Sequence, residues 1–584
     1  MTFGPDASAR EPERRDAAHG SRHARAVRVL ARAPIVLGAL VLVQWAAVLA
    51  FAREVRHNGW LFYQGGDETF HYTASWALAG GRIPEAEIGY GWSYVLSPVA
   101  RAFGPNLLNA LPAVVLVQTL VLLPLALYCV YAIAGNIGGR VLGYLAAAVW
   151  VAMPFAAIPL WDSSYHTKYV EQFLPQAFGL TGMGDFPSMV CLLVAALFCV
   201  RALDLGERGD PMDAVLTGLA AGFAIGIKPA NALFLAGPLL AFGVARQLRG
   251  GLSFGIALVP PLLAIALWKY RGLGHLPILT PNPEAMAAVG GSDSGVRVMS
   301  SGLVLDRYLD FNWSRLGRNY VDLRNVFWVL PLLQSLPLLG FVVATRRSWP
   351  KALLLGGWLG AFVLVKGGSE RLSIDSGDFL RLLMPGFPPL LILAALVPLL
   401  VPWLRRQPQL RFPPPTRRTG ALALALFAVV PLLLFAALPA LGRNQAVHYY
   451  PEGVKVPVDE GFSVDVRRVG HRALVTWQAP ASPSVSAFYR VFRSRPVVPA
   501  PDPTFPPGRD GVRCLDPHAP GYAGAADCAL EMSLLGVTRS TRFLDRPPPG
   551  PWVYRVGLAA NWRDDPEAGD VLLLSGPGRL PGRS

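Results

Sequence analysis

Apolar residues along this chain fall into long runs over its first three quarters and into alternation over the last quarter. The runs are roughly 17–25 residues long, enough for a helix to cross a ~30 Å hydrocarbon core. They begin near Pro34, Asn106, Gly139, Pro187, Asp213, Ala230, Gly251, Val326, Lys351, Leu380 and Gly420, which predicts about eleven transmembrane helices within residues 34–441. From about Glu460 the period drops to two. Val464–Val466, Ala473–Trp477, Phe488–Phe492, Thr541–Leu544 and Trp552–Val556 read as strands between Pro/Gly turns. The expected organisation is a tail at 1–33, a membrane domain at 34–441, a linker at 442–459, a strand-rich domain at 460–578 and a short tail at 579–584.

Composition agrees with a polytopic α-helical membrane protein. Hydrophobic residues make up 53% and charged residues 16%, whereas soluble domains carry about 25% charged residues. The net charge of +15 is not a nucleic-acid footprint, because the arginines cluster in short loops between apolar runs. Such loops face the cytoplasm. The tail with Arg14, Arg15, Arg22, Arg25, Arg28 and Arg32 is therefore expected inside and disordered. Arg140, Arg201, Arg208, Arg246, Arg249, Arg346, Arg347 and the Arg405–Arg418 stretch then share its side. The first run lies too far from the N-terminus, and lacks the small-residue cleavage site, to be a removed signal peptide. The longer loops, 53–105, 161–186, 269–325 and 367–379, fall outside with the strand-rich domain. This predicts a multi-pass plasma-membrane protein in contact with lipid, with its C-terminal domain extracytoplasmic. Cys129, Cys191 and Cys199 lie in spans as small apolar residues. Cys514 and Cys528 are exported, where a disulfide persists, and are the disulfide candidates.

Chemistry concentrates in the outer loops. Asp67 and Glu68 stand side by side after the first span, in Gly65-Gly66-Asp67-Glu68-Thr69-Phe70-His71-Tyr72. A carboxylate there suits a general base; Asp67 also suits the N-cap of a helix starting near Thr69. Asp185, before Pro187, reads as an N-cap or as an acceptor or metal residue. Asp162 carries the same acceptor or metal reading, set against that of a solvated loop residue. His71 and His166 lack metal-ligand spacing. Lys228-Pro229 interrupts a run too long for one helix, which predicts a helical hairpin with Lys228 at its outer tip. Arg381 opens a late span. Both cations suit either a lipid phosphate or snorkelling to headgroups. Trp60, Phe62, Tyr63, Trp92 and Tyr94 read as an interfacial aromatic belt. No Gly-rich phosphate loop follows a strand, which argues against a cytosolic nucleotide-sugar site.

The first outer loop continues Trp76-Ala77-Leu78-Ala79-Gly80-Gly81-Arg82-Ile83-Pro84, then Gly89-Tyr90-Gly91-Trp92-Ser93-Tyr94, and ends Phe103-Gly104-Pro105. With Asp67-Glu68, Gly184-Asp185-Phe186-Pro187, Gly226-Ile227-Lys228-Pro229 and Arg381-Leu382-Leu383-Met384-Pro385, it resembles the GT-C superfamily of membrane glycosyltransferases over residues 34–403. These resemble protein O-mannosyltransferases and aminoarabinose transferases; Leu382 departs from the usual aromatic. The resemblance implies a hexosyl- or pentosyltransferase using a polyprenyl-phosphate-linked sugar and an extracytoplasmic acceptor. Asp67 would be the base, with Glu68 sharing that work or binding the acceptor, and Lys228 and Arg381 would hold the donor phosphate. No cofactor is specified, although the acidic residues admit a divalent metal. Leu474-Val475-Thr476-Trp477, Pro480, Tyr489-Arg490-Val491 and Tyr554-Arg555-Val556 resemble a fibronectin type III β-sandwich, apart from a long insert at 497–540. A transporter or flippase of lipid-linked glycans is the alternative reading, and a membrane-anchored binding scaffold the third.

Overall fold

The computed structural model describes residues 33–54, 67–81, 88–161, 179–206, 210–273, 312–327, 333–369 and 379–437 (Pro414 excepted). In the C-terminal part it describes 448–449, 455–456, 458–459, 461–478, 480, 487–494, 513–514, 528–529, 533–560 and 571–581. The basic tail, Asp162, His166 and most of the 497–540 insert lie outside these residues.

The helices are α1 (Ala33–Glu54), α2 (Asp67–Ala79), α3 (Tyr90–Phe103), α4 (Leu107–Gly138), α5 (Arg140–Trp161), α6 (Asp185–Leu205) and α7 (Met212–Ile227). They continue as α8 (Pro229–Val244, opening as a 3-10 turn), α9 (Leu248–Leu273), α10 (Trp313–Phe327), α11 (Leu336–Thr345), α12 (Trp349–Gly367), α13 (Arg381–Leu400) and α14 (Arg417–Ala437). Six of them, α4, α6, α9, α12, α13 and α14, are long and apolar enough to cross a membrane. α1, α5, α7, α8 and α11 contribute shorter apolar stretches. The apolar runs therefore form helices where expected, with one correction. Val326 does not open a span. It lies in the last turn of α10, whose Arg315, Arg318 and Asp322 recur every three or four residues as a polar stripe. The following apolar helix begins at Leu336. A helix with such a stripe suits a membrane surface better than its interior.

The bundle closes on small residues. α7 packs along α6 and α9, and a Cβ on Gly218 would lie 2.4 Å from the Phe254 carbonyl oxygen. Backbones approach this closely only where side chains are absent, which is how apolar helices associate without a hydrophobic driving force. The basic loops meet at one end. Arg201 pairs with Asp213 at 3.0 Å and donates to Pro413 O. Arg347 donates to Ile137 O and Gln407 O, and buried Lys351 donates to Asn136 Oδ1 at 2.6 Å and to Asp204. The shared side predicted for Arg201, Arg347 and the Arg405–Arg418 stretch is thus a physical assembly.

The C-terminal part is a two-sheet sandwich. One sheet orders β10 (Arg542–Asp545), β5 (Arg472–Trp477) and β4 (Val464–Val469); the other orders β3 (Val458–Asp459), β12 (Val571–Ser575), β11 (Trp552–Ala560), β6 (Ala487–Ser494) and β9 (Ser533–Thr538). β13 (Gly578–Leu580) also pairs with β11. Trp477, Tyr489, Val491, Tyr554 and Val556 fill the core between them. The alternation thus converted into inward and outward faces. A small further sheet orders β2 (Lys455–Val456), β1 (His448–Tyr449), β8 (Cys528–Ala529) and β7 (Arg513–Cys514). Its β7–β8 ladder sets Cys514 opposite Cys528 along the backbone; their side chains lie outside the described atoms.

Strand β12 is buried at every position. Leu573 faces the sandwich core, so Leu572 faces the other way, into a cluster with Tyr72, Ala100, Leu107, Leu108 and Leu111. The sandwich is seated on α2, α3 and the start of α4. Leu572→Ala should therefore cost about 2–5 kcal/mol and lower the unfolding midpoint of the whole protein, as read by thermal denaturation in lipid. An unchanged midpoint would mean that the seat is not formed.

Candidate functional site

Helix α2 begins at Asp67, two residues earlier than Thr69, where its start was expected. Both carboxylates therefore occupy the first turn, where the helix dipole favours negative charge. Successive helical residues are rotated by about 100°, and the two acids diverge accordingly. Asp67 keeps 36% of its side chain exposed. Glu68 is buried, with Oε2 facing Gly182 of the loop before α6.

Three further charges converge on Asp67. Asp185 is the first residue of α6, with only 3% of its side chain exposed. Its Oδ1 accepts from Lys228 Nζ, and its Oδ2 accepts from Arg381 Nε at 3.3 Å. A second nitrogen of that guanidinium, Nη2, pairs with Asp67 Oδ2. Lys228 stands between α7 and α8 with extended backbone (φ −139°, ψ 110°), as Pro229 requires of the residue before it. Asp185 and Arg381 are at helix starts and Lys228 is at a helix end, so all three mark the same end of the bundle. It is the end opposite the Arg201, Arg347 and Lys351 assembly. A buried carboxylate holding two cations is sensitive to loss of any one member, because the remaining buried charge is left uncompensated.

Buried donors fix the parts. The loop 179–184 is held by Trp92 Nε1, which donates to Gly182 O at 2.8 Å, and by Gln118 Nε2, which donates to Thr181 O. Gln118 opens a π-helical turn in α4, a distortion common at functional positions. The Lys228 tip is held by backbone contact: a Cβ on Gly89 would lie 2.2 Å from Ile227 O. Trp268 Nε1 donates to Ile88 O at 3.0 Å and secures that loop from α9. His71, one turn beyond Asp67, is buried beside Gly184. Burial, with the Lys228 charge nearby, pushes its pKa down to about 3, so it is neutral at physiological pH.

Asp67, Asp185, Lys228 and Arg381 are thus brought together, with Glu68 immediately behind. Asp185, read as an N-cap or as an acceptor or metal residue, is the first residue of α6, and both of its oxygens face cations. Trp92 is a buried hydrogen-bond donor instead of an interfacial anchor. Gln118 and Trp92 were not legible as site residues, since a lone Gln in an apolar run and a loop Trp have many uses. Among the described residues no group of three His, Cys, Asp or Glu side chains gathers for a metal ion. A divalent metal does not fit this donor set, because cations already engage Asp67 and Asp185. A cavity of about 530 Å³ lies elsewhere, between β6 and β9 of the sandwich, lined by Phe488, Leu534, Leu535, Gly536, Val537, Thr538 and Arg539. It offers no carboxylate and is not the chemical centre.

Fold and site define a polytopic helical membrane protein with a charged centre at one bundle end, under a β-sandwich. No protein-family model matches the chain, and no curated protein matches it. Solved structures are similar to it. ArnT from Cupriavidus metallidurans bound to undecaprenyl phosphate matches at 17% identity and a TM-score of 0.38, over 70% of this chain and 66% of ArnT. The Archaeoglobus fulgidus oligosaccharyltransferase in its apo form matches at 14% identity and 0.36, over 69% of this chain and 55% of that one. AglB from the same organism, with an inhibitory peptide and a dolichol-phosphate, matches at 14% and 0.36, over 68% and 56%. The match thus spans just under two thirds of ArnT and little more than half of the oligosaccharyltransferases.

Two outcomes follow from this geometry. Gly89→Ala must displace the Lys228 tip and should cost about 1–3 kcal/mol, measured as a fall in thermal midpoint; a neutral Gly89→Ala would show that the tip does not rest on this loop. For His71, the unfolded side chain takes a proton near pH 6.5 and the folded one only near 3. Stability should be full above pH 6.5 and fall as pH drops towards 3, by roughly 1.4 kcal/mol per pH unit. Unfolding followed between about pH 4.5 and 6.5 should show a shallower slope in His71→Gln.

Proposed function

We propose that this protein is a membrane glycosyltransferase that moves one sugar from a polyprenyl-phosphate donor to an acceptor hydroxyl or amine on the extracytoplasmic face. The observation that carries this reading is the convergence of Lys228 and Arg381, from two separate helix ends, beside a partly exposed carboxylate, Asp67. A lipid phosphate lies at the depth of helix ends, where two fixed cations stabilise the charge that grows as the glycosidic bond breaks. Asp67 accepts the acceptor's proton while the acceptor oxygen or nitrogen bonds to the anomeric carbon. The bond from that carbon to the phosphate oxygen breaks, and its electron pair stays on the phosphate. Glu68, buried behind Asp67, supports α2 and the loop at Gly182 and does not meet the acceptor. Every step is carried by the protein's own side chains, and the sugar, hexose or pentose, is a matter for the donor panel.

The basic assembly at the opposite bundle end supports a cytoplasmic N-terminus and an outward-facing site by the positive-inside rule. A Cys514–Cys528 disulfide on the ladder between β7 and β8 suits that exported side. The charges gather at the bundle end and not along its interior, which disfavours a transport pathway. A scaffold has no use for two lipid-phosphate cations.

The test is turnover in lipid with a panel of radiolabelled polyprenyl-phosphate sugars and cell-envelope acceptors. Asp67→Asn should lose about 10²–10⁴-fold in transfer with folding intact. Undiminished transfer in that variant would remove Asp67 as the base, and retained transfer in EDTA is expected.

A further inference from the structure

We infer that Arg381 is exchanged between Asp67 and the donor phosphate: at rest its Nη2 holds the Asp67 carboxylate, and a polyprenyl phosphate frees Asp67 by taking Nη2. This rests on the transferase reading above and adds an order of events to it.

The argument begins with charge. Lys228 and Arg381 are matched by Asp67 and Asp185, with Glu68 buried behind them. Among the described residues these charges already offset one another, and a phosphate entering the set adds negative charge to it. It must displace a carboxylate or be repelled. The two candidates differ. Asp185 is almost fully buried and binds both cations, one on each oxygen, so its displacement would leave a buried carboxylate without its partners. Asp67 is more than a third exposed and meets Arg381 through Nη2, so it can turn to water at little cost. The Nε–H bond to Asp185 stays throughout. Asp185 is therefore a positioning residue that keeps the guanidinium in place while Nη2 changes partner.

Before exchange the Asp67 carboxylate is engaged by Arg381. After exchange its lone pairs are open to the acceptor's proton, so the base becomes available when the donor is seated. As the sugar transfers, Asp67 takes the proton and the phosphate gains the electron pair of the broken bond. Neutral Asp67 then no longer competes for Arg381. Once Asp67 returns its proton to water it reclaims the guanidinium and promotes release of the polyprenyl phosphate.

A carboxylate that acts only through its charge weakens phosphate binding with or without Arg381. A competitor for Arg381 weakens it only where Arg381 is present. Binding of farnesyl phosphate, with farnesol as control, should be measured by calorimetry on the full chain in lipid nanodiscs. Asp67→Asn should bind about three- to tenfold more tightly than wild type, and Asp67→Ser should do the same if the amide fails to fold. Arg381→Gln should bind more weakly, and Asp67→Asn should add nothing in its presence. Equal or weaker binding by Asp67→Asn, with wild type binding normally, overturns the exchange and leaves the transferase reading standing. Wild type that binds farnesyl phosphate no better than farnesol overturns both.

Discussion

The Asp185 carboxylate, buried at the start of α6 and shared between Lys228 and Arg381, is the interaction on which the outer end of this bundle depends. Two cations at the ends of separate helices repel each other. One carboxylate between them turns that repulsion into a fixed spacing, and the low dielectric makes each contact strong. Arg381 then extends to Asp67 and brings α2 into the same arrangement. Four stretches of chain, around residues 67, 185, 228 and 381, are thereby tied at one point.

Close packing makes that point precise. Gly89 meets Ile227, and Gly182 and Gly184 accommodate Glu68 and His71, so the loops reach the ion cluster by backbone contact. Trp92, Gln118 and Trp268 bind loop carbonyls from three different helices. The sandwich completes the cover through Leu572, which ties its β12 to the helix that begins at Asp67. The C-terminal domain is for this reason part of the site's support as well as a separate fold.

Much of this was legible beforehand. Apolar runs of spanning length have one stable outcome in a bilayer, since every backbone group must be paired within the helix. Lys228-Pro229 marked a hairpin tip because proline cannot continue a helix and lysine is costly in hydrocarbon. At Val326 the reverse holds: the apolar pair Val326-Phe327 belongs to the polar helix before it, and a local apolar pattern does not tell the two apart. Asp185 was seen as a candidate, but its bonds to two cations depend on helices almost two hundred residues apart in sequence.

The sequence by itself determined the apolar helices, the shared side of the basic loops, the strand-rich C-terminal part and a short set of charged residues worth watching. These follow from local periodicity and from the cost of polar groups in lipid, which act residue by residue. Only the tertiary structure decided that Asp185 joins Lys228 to Arg381, that Asp67 and not Glu68 faces outward, and that Leu572 seats the sandwich on α2. Those outcomes turn on which helix ends meet and at what rotation, and no local pattern encodes either.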